Sequence, residues 1–75
     1  MDLQRIKELK LARPFRQFYV LLKSGERVLV EASHCVGVAP DGSRMGVESR
    51  GGMMILSPDQ VRDVDVMPAP LKAAE

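Results

Sequence analysis

From Gln17 onward the apolar residues of this chain fall on every second position. Phe18, Val20 and Leu22 occupy one face of a first strand, and Val28, Val30 and Ala32 take up the same face beyond the turn "KSGE". A period of two marks a strand with one side in a core and the other largely wet. The even-numbered phase then runs on through His34, Val36 and Val38. Because a one-residue slip sends every side chain to the opposite face, an unbroken phase predicts one long strand. A bend is expected near Ser33 to Gly37, eased by Gly37.

Turn signals divide the rest of the chain into short pieces. Gly25 in "KSGE" supplies the positive φ of a tight hairpin, and "PDGS", Pro40 to Ser43, combines a proline that presets φ with Asp-Gly. Met45 and Val47 lie on one face of a third strand, "SRGG" from Ser49 to Gly52 is the next turn, and "MMIL" is a short apolar fourth strand. In "ILSPDQVRDVDV" the apolar pattern breaks at Ser57, Pro58 and Asp59, which suit an N-cap, a first helical position and an acid in a first turn. The last strand turns Val64 and Val66 inward and Asp63 and Asp65 outward. Ahead of the strands, Asp2 is placed to cap a short helix whose stripe is Leu3, Ile6 and Leu9. Pro14 ends that helix. Leu11 lies off the stripe, on a helix either buried on two sides or already fraying.

A short helix and five strands with no helical crossover predict a mainly β domain, a small five-stranded antiparallel barrel with a one-turn helical connector before the last strand. Closure hides edges that so short a chain cannot otherwise cover. The domain is expected over residues 1–67, with "PAPLKAAE", residues 68–75, as a frayed tail.

Size and composition narrow the function. A core built from 75 residues supplies only about 3 to 5 kcal/mol of net stability, so help from a metal, a disulfide or a partner chain is in question. One cysteine, Cys35, permits no internal disulfide, and one histidine, His34, leaves too few soft ligands for a structural zinc. Association is what remains, and no metal or cofactor is expected. No run approaches the roughly 20 apolar residues of a membrane helix, and Asp2 and Glu8 stand where a signal peptide wants a basic and then an apolar stretch. The expectation is a soluble, cytoplasmic protein.

The order helix, "RPFRQF", hairpin, bent strand, "PDG" turn and "ILSPDQVRDVDV" resembles a group of small uncharacterised bacterial proteins with a basic "RPF" segment before a Gly-containing hairpin. The resemblance covers residues 3–66. The architecture it implies is similar to SH3-like and Sm-like barrels, the latter also opening with a helix. That likeness is one of topology, which does not carry function. The Asp-x-x-x-Asn type of RNA-binding loop found in Sm proteins is missing after the bend, as is the aromatic groove with which SH3 domains hold proline-rich peptides. The group itself implies no activity.

Few residues offer chemistry. His34 and Cys35 are the one adjacent reactive pair, but neighbours on a strand point to opposite faces, so the imidazole diverges from the thiol. Cys35 reads as a small packing residue and His34, in phase with the core, as a satisfied residue at the barrel's end. Ser33, His34 and Asp41 are triad residue types without a nucleophile elbow, and Gly42 with Gly46 forms no phosphate loop. No catalytic residue is assigned.

Two surfaces are better candidates. Residues 1–16 hold Arg5, Lys7, Lys10, Arg13 and Arg16 against two acids, a local +3, while the remainder of the chain carries −2. Such cations can meet nucleic-acid phosphates, with Phe15, Phe18 or Tyr19 the only aromatics for base stacking. On the outward face of the hairpin, Tyr19, Leu21 and Leu29 form an apolar patch that the N-terminal helix either covers or leaves as an interface. Alternation sends Met53 and Met54 to opposite faces, Met53 to the interface and Met54 to the core. The expected function is a non-enzymatic interaction module that self-associates as a homodimer or other homo-oligomer through the hairpin patch or an edge strand, with another protein as a further candidate partner. RNA or DNA binding through the basic segment is the alternative.

Overall fold

The computed structural model of the chain describes residues 2–68. It contains one helix, α1 (Gln4–Leu11), and six strands: β1 (Phe18–Leu22), β2 (Arg27–Val30), β3 (Val36–Val38), β4 (Met45–Ser49), β5 (Gly52–Leu56) and β6 (Val61–Val66). The strands form two antiparallel three-stranded sheets, ordered β2-β1-β6 and β3-β4-β5.

Local chemistry explains most of the element boundaries. Asp2 Oδ1 accepts the Gln4 N–H at 2.9 Å, satisfying one of the donors that a helix start leaves without an internal partner. The chain leaves α1 through an extended Ala12, two residues before Pro14. Leu11, the last helical residue, is 71% exposed, so the helix is buried on one side only. Gly25 and Gly42 have φ of +99° and +73°, which lets the β1–β2 and β3–β4 hairpins turn tightly. In the first, the Leu22 N–H donates to Glu26 O at 2.9 Å.

The expected long bent strand is two strands. After Val30 the chain makes a 3-10 turn at Ser33–Cys35, and pairing resumes only at Val36. The break is held from outside the strand: Lys10 Nζ donates to Ser33 O at 2.7 Å and to Val36 O at 2.8 Å. The bend therefore falls before Gly37, which lies within β3 and pairs with Gly46. It also overturns the expectation for His34. The turn rotates His34 out of phase, and the residue is exposed while Val36 returns to the core.

The expected closed five-stranded barrel is likewise corrected to six strands in two sheets. Among the described residues β5 pairs only with β4, and β6 only with β1. The connector at Pro58–Gln60 carries the chain from one sheet to the other without joining the two edges. Ser57 is its N-cap, as expected, and closes a capping box with Gln60, whose side-chain oxygen accepts the Ser57 N–H at 2.9 Å and lies 3.1 Å from Ser57 Oγ. The last strand begins at Val61, earlier than the alternation of Val64 and Val66 indicates. Leu21 pairs with Asp63 but Leu22 with Val61, so Arg62 is an extra, bulged residue that resets the phase.

The sheets share one core. Phe18, Val20 and Val30 from the first sheet meet Met45 and Val47 from the second, all essentially without exposure. Leu3, Ile6 and Leu9 of α1 enter the same cluster, and α1 lies along β3 and the Ser33–Cys35 turn. The residues of the expected tail beyond Pro68 lie outside the described residues.

Candidate functional site

The basic N-terminal residues are not equivalent once placed. Arg5, Arg13 and Arg16 are exposed, Lys7 is half-buried, and the Lys10 ammonium is engaged by the two carbonyls that close the strand break. Lys10 thus has a structural task that its sequence neighbourhood gives no sign of. Beside it, Leu11, Arg13, Pro14, Phe15 and Ser33 help to line an open recess of about 410 Å³.

The aromatics near these cations are already committed. Phe18 is fully buried, and the Phe15 ring packs on it with centroids 6.1 Å apart. The Arg27 guanidinium lies 4.8 Å from the centroid of the Tyr19 ring. Tyr19, Leu21 and Leu29 do share the outward face of β1 and β2, and each is half-buried there. The α1 stripe turns into the core rather than onto this face. Opposite Tyr19 and Leu21 stand Asp65 and Asp63 of β6, so the patch has an acidic border.

The second sheet presents a different surface. Met53 and Ile55 of β5 are 66% and 61% exposed, while Met54 between them packs on the core, as alternation requires. Their side chains lean over β4: a Cβ built on Gly46 meets Met53 Sδ at 3.4 Å and Ile55 Cδ1 at 3.5 Å. Gly46 is paired with Gly37, so the sheet has a strip of bare backbone here. With His34 and Glu48 these residues border a shallow recess of about 390 Å³. The sequence reading missed Ile55, although the period of two that placed Met53 outward places Ile55 with it.

Hydrogen-bond parity shows which backbone groups β5 turns away from its sheet. The Ala39 N–H donates to Arg44 O, so two steps along the ladder Gly37 and Gly46 exchange bonds. Met45 and Val47 must then face β5, where they pair with Leu56 and Met54. Met53 and Ile55 point their N–H and C=O groups to the outer edge. The two most exposed side chains of the strand and its unpaired backbone groups belong to the same two residues.

Titratable groups do not converge. Cys35 is half-buried against the core and His34 exposed beside it. Among the described residues no three His, Cys, Asp or Glu side chains lie close enough to hold a metal ion. Two carboxyls are held below their ordinary range. Hydrogen bonds from the Ser43 side chain and N–H lower Asp41, with Ser43 N 2.9 Å from Asp41 Oδ1. Asp59 is lowered first by hydrogen bonding from the Ser57 side chain. Both carboxyls stabilise turns. No described helix is long and apolar enough to cross a membrane.

The chain matches no protein-family model, no curated protein and no solved structure.

Proposed function

We propose that this chain is a non-enzymatic interaction module that self-associates. The observation that carries the reading is the outer edge of β5, where Met53 and Ile55 combine exposed apolar side chains with unpaired backbone groups. A small domain with a marginal core gains stability by mass action when such a surface is covered by a partner. We also read the two sheets as an opened variant of the SH3-like or Sm-like arrangement. The order β6-β1-β2 followed by β3-β4-β5, with β2 running into β3 through one turn, is the order of a five-stranded barrel whose long second strand is broken. A single unpaired cysteine suits a reducing compartment, and the cytoplasm is the setting we assign.

Sedimentation velocity across a concentration series tests this function. A self-associating module shifts to a larger species as concentration rises into the high micromolar range. A single monomeric boundary throughout overturns the reading.

RNA or DNA binding is the second reading, supported by the exposure of Arg5, Arg13 and Arg16, of which Arg13 lines the recess at Pro14. Against it stand the engaged Lys10 and the shortage of stacking surface, with Phe18 buried and Phe15 packed on it. Low-salt retention of a random oligonucleotide that Arg13→Glu with Arg16→Glu abolishes favours it. Retention unaffected by those changes discards it.

A further inference from the structure

We propose that a second copy of this chain docks antiparallel against β5, joining the two β3-β4-β5 sheets into one continuous sheet across a two-fold axis at Met54. The proposal rests on the self-association reading above and names its surface.

The choice of β5 follows from what each strand edge carries. The edge of β3 is met by α1, whose Lys10 donates to the outward Val36 carbonyl. The edge of β6 runs through Arg62, Asp63 and Asp65, and that of β2 is flanked by Glu26, Arg27 and Glu31. Charged residues on an edge strand oppose further pairing. Only β5, Gly52–Leu56, has no charged residue and no covering element among the described residues.

The pairing register follows from backbone parity and charge. Outward N–H and C=O groups lie at Met53 and Ile55, so the fullest two-fold pairing sets Met53 against Ile55 of the second copy, and Ile55 against its Met53. Each of these pairs exchanges both N–H···O bonds. Met53 and Ile55 then become direct cross-strand neighbours on the outer face, an apolar pair at each side of the axis. The same register carries Arg50, exposed in the β4–β5 turn, alongside Pro58 and Asp59 of the second copy. The two-fold repeats this, so a cation meets a carboxylate at both ends of the shared strand pair. Sliding the register by two residues one way sets Arg50 opposite Leu56, away from the carboxylate, and sliding it the other way sets Met53 against Ser57 and leaves one apolar cross-strand pair where there were two. The second copy is favoured over a peptide of another protein because β5 and its flanks are complementary to themselves.

Sedimentation velocity on the full chain provides the test, with thermal melts as a control on folding. Ile55→Lys is expected to leave a monomer at concentrations where the unaltered chain is a dimer, while the two melts coincide at concentrations low enough for both to be monomeric. Arg50→Glu and Asp59→Lys are each expected to weaken the dimer roughly fivefold or more, and the double variant to restore it to within about twofold. The charge-reversal arm does not depend on any change to β5 itself. A dimer that persists in Ile55→Lys, or yields instead to Leu21→Lys, overturns the β5 interface while leaving self-association standing. Single charge variants that weaken the dimer without rescue in the double variant overturn the register. A chain that is monomeric at every concentration overturns both the interface and the function it rests on.

Discussion

β5 and β6 follow one another in the chain, each at the outer edge of its sheet, with a single helical turn between them. Their outer surfaces could hardly differ more. β6 alternates valines with Asp63 and Asp65 and carries a bulge at Arg62, the devices by which an exposed edge is kept from pairing again. β5 puts Met53 and Ile55 where β6 has carboxylates. Both strands are anchored to the core by one fully buried residue, Leu56 in β5 and Val61 in β6. The contrast therefore concerns what the edge is for, since both strands are held in place.

The sharpest way to break this comparison is to separate the anchor of β5 from its outer face. Leu56→Ala removes a side chain only 3% exposed and is expected to cost about 2 to 5 kcal/mol. A domain of this size holds only about 3 to 5 kcal/mol in total, so the variant sits near its unfolding midpoint without denaturant. Ile55→Ala, one residue away but pointing outward, is expected to change stability by no more than about 0.5 kcal/mol at concentrations where the chain is monomeric. Urea titrations followed by circular dichroism measure both. Equal losses at the two positions mean that Ile55 contributes to folding and that β5 has no spare surface.

The third edge sharpens the contrast. β3 belongs to the same sheet as β5 but is met by α1, and Lys10 fixes it through two carbonyls. Lys10→Met keeps much of the aliphatic stem while removing the ammonium that makes both hydrogen bonds, and a loss of about 1.5 to 3 kcal/mol is expected in the same titration. A loss confined to surface-mutation size means that water replaces the ammonium and that α1 seals the edge by packing alone.

What could be read in the sequence, and what could not, follows the reach of each interaction. Turns at Gly25 and Gly42, the inward phase of Phe18, Val20, Val28 and Val30, and the outward Met53 are set by neighbours a few residues away. The break at Ser33–Cys35 is secured by Lys10, 23 residues earlier than its Ser33 partner, so local alternation carried the strand straight through it. Alternation alone puts His34 inward for that reason. The bulge at Arg62 depends on how β6 lies against β1 and leaves no local mark either. The candidate surface was half legible. Met53 was found by alternation, whereas the significance of Ile55 depends on β5 being an edge, which is a property of the sheet.

Smaller effects lie in the connector that separates the two edges. Gln60→Ala deletes the oxygen that accepts the Ser57 N–H, and a loss of about 0.5 to 1 kcal/mol is expected, measured by thermal melting. Because this turn positions β6 relative to β5, the same variant is a control on the dimer. Association unchanged at this loss shows that the interface depends on β5 and not on the connector's rigidity.

The smallest expected effect is a pH dependence, and its sign is fixed. Hydrogen bonding from Ser57 lowers Asp59, and from Ser43 lowers Asp41, relative to an ordinary carboxyl value of 3.8. A carboxyl lowered in the folded state contributes stability above its unfolded value and loses it as pH falls through the folded one. Melting temperature is therefore expected to decline slightly more steeply for the unaltered chain than for Asp59→Asn or Asp41→Asn below the ordinary carboxyl value. Both groups are fully exposed, which keeps the difference small. The two positions diverge on association. Protonating Asp59 removes the anion that Arg50 of a second copy meets, so the dimer weakens across that acid window and Asp59→Asn is already weakened at neutral pH. Asp41, in the β3–β4 turn and outside the β5 edge, has no such effect. An acid weakening of the dimer that is equal in Asp41→Asn and in Asp59→Asn ties the association to net charge and removes Asp59 from the interface.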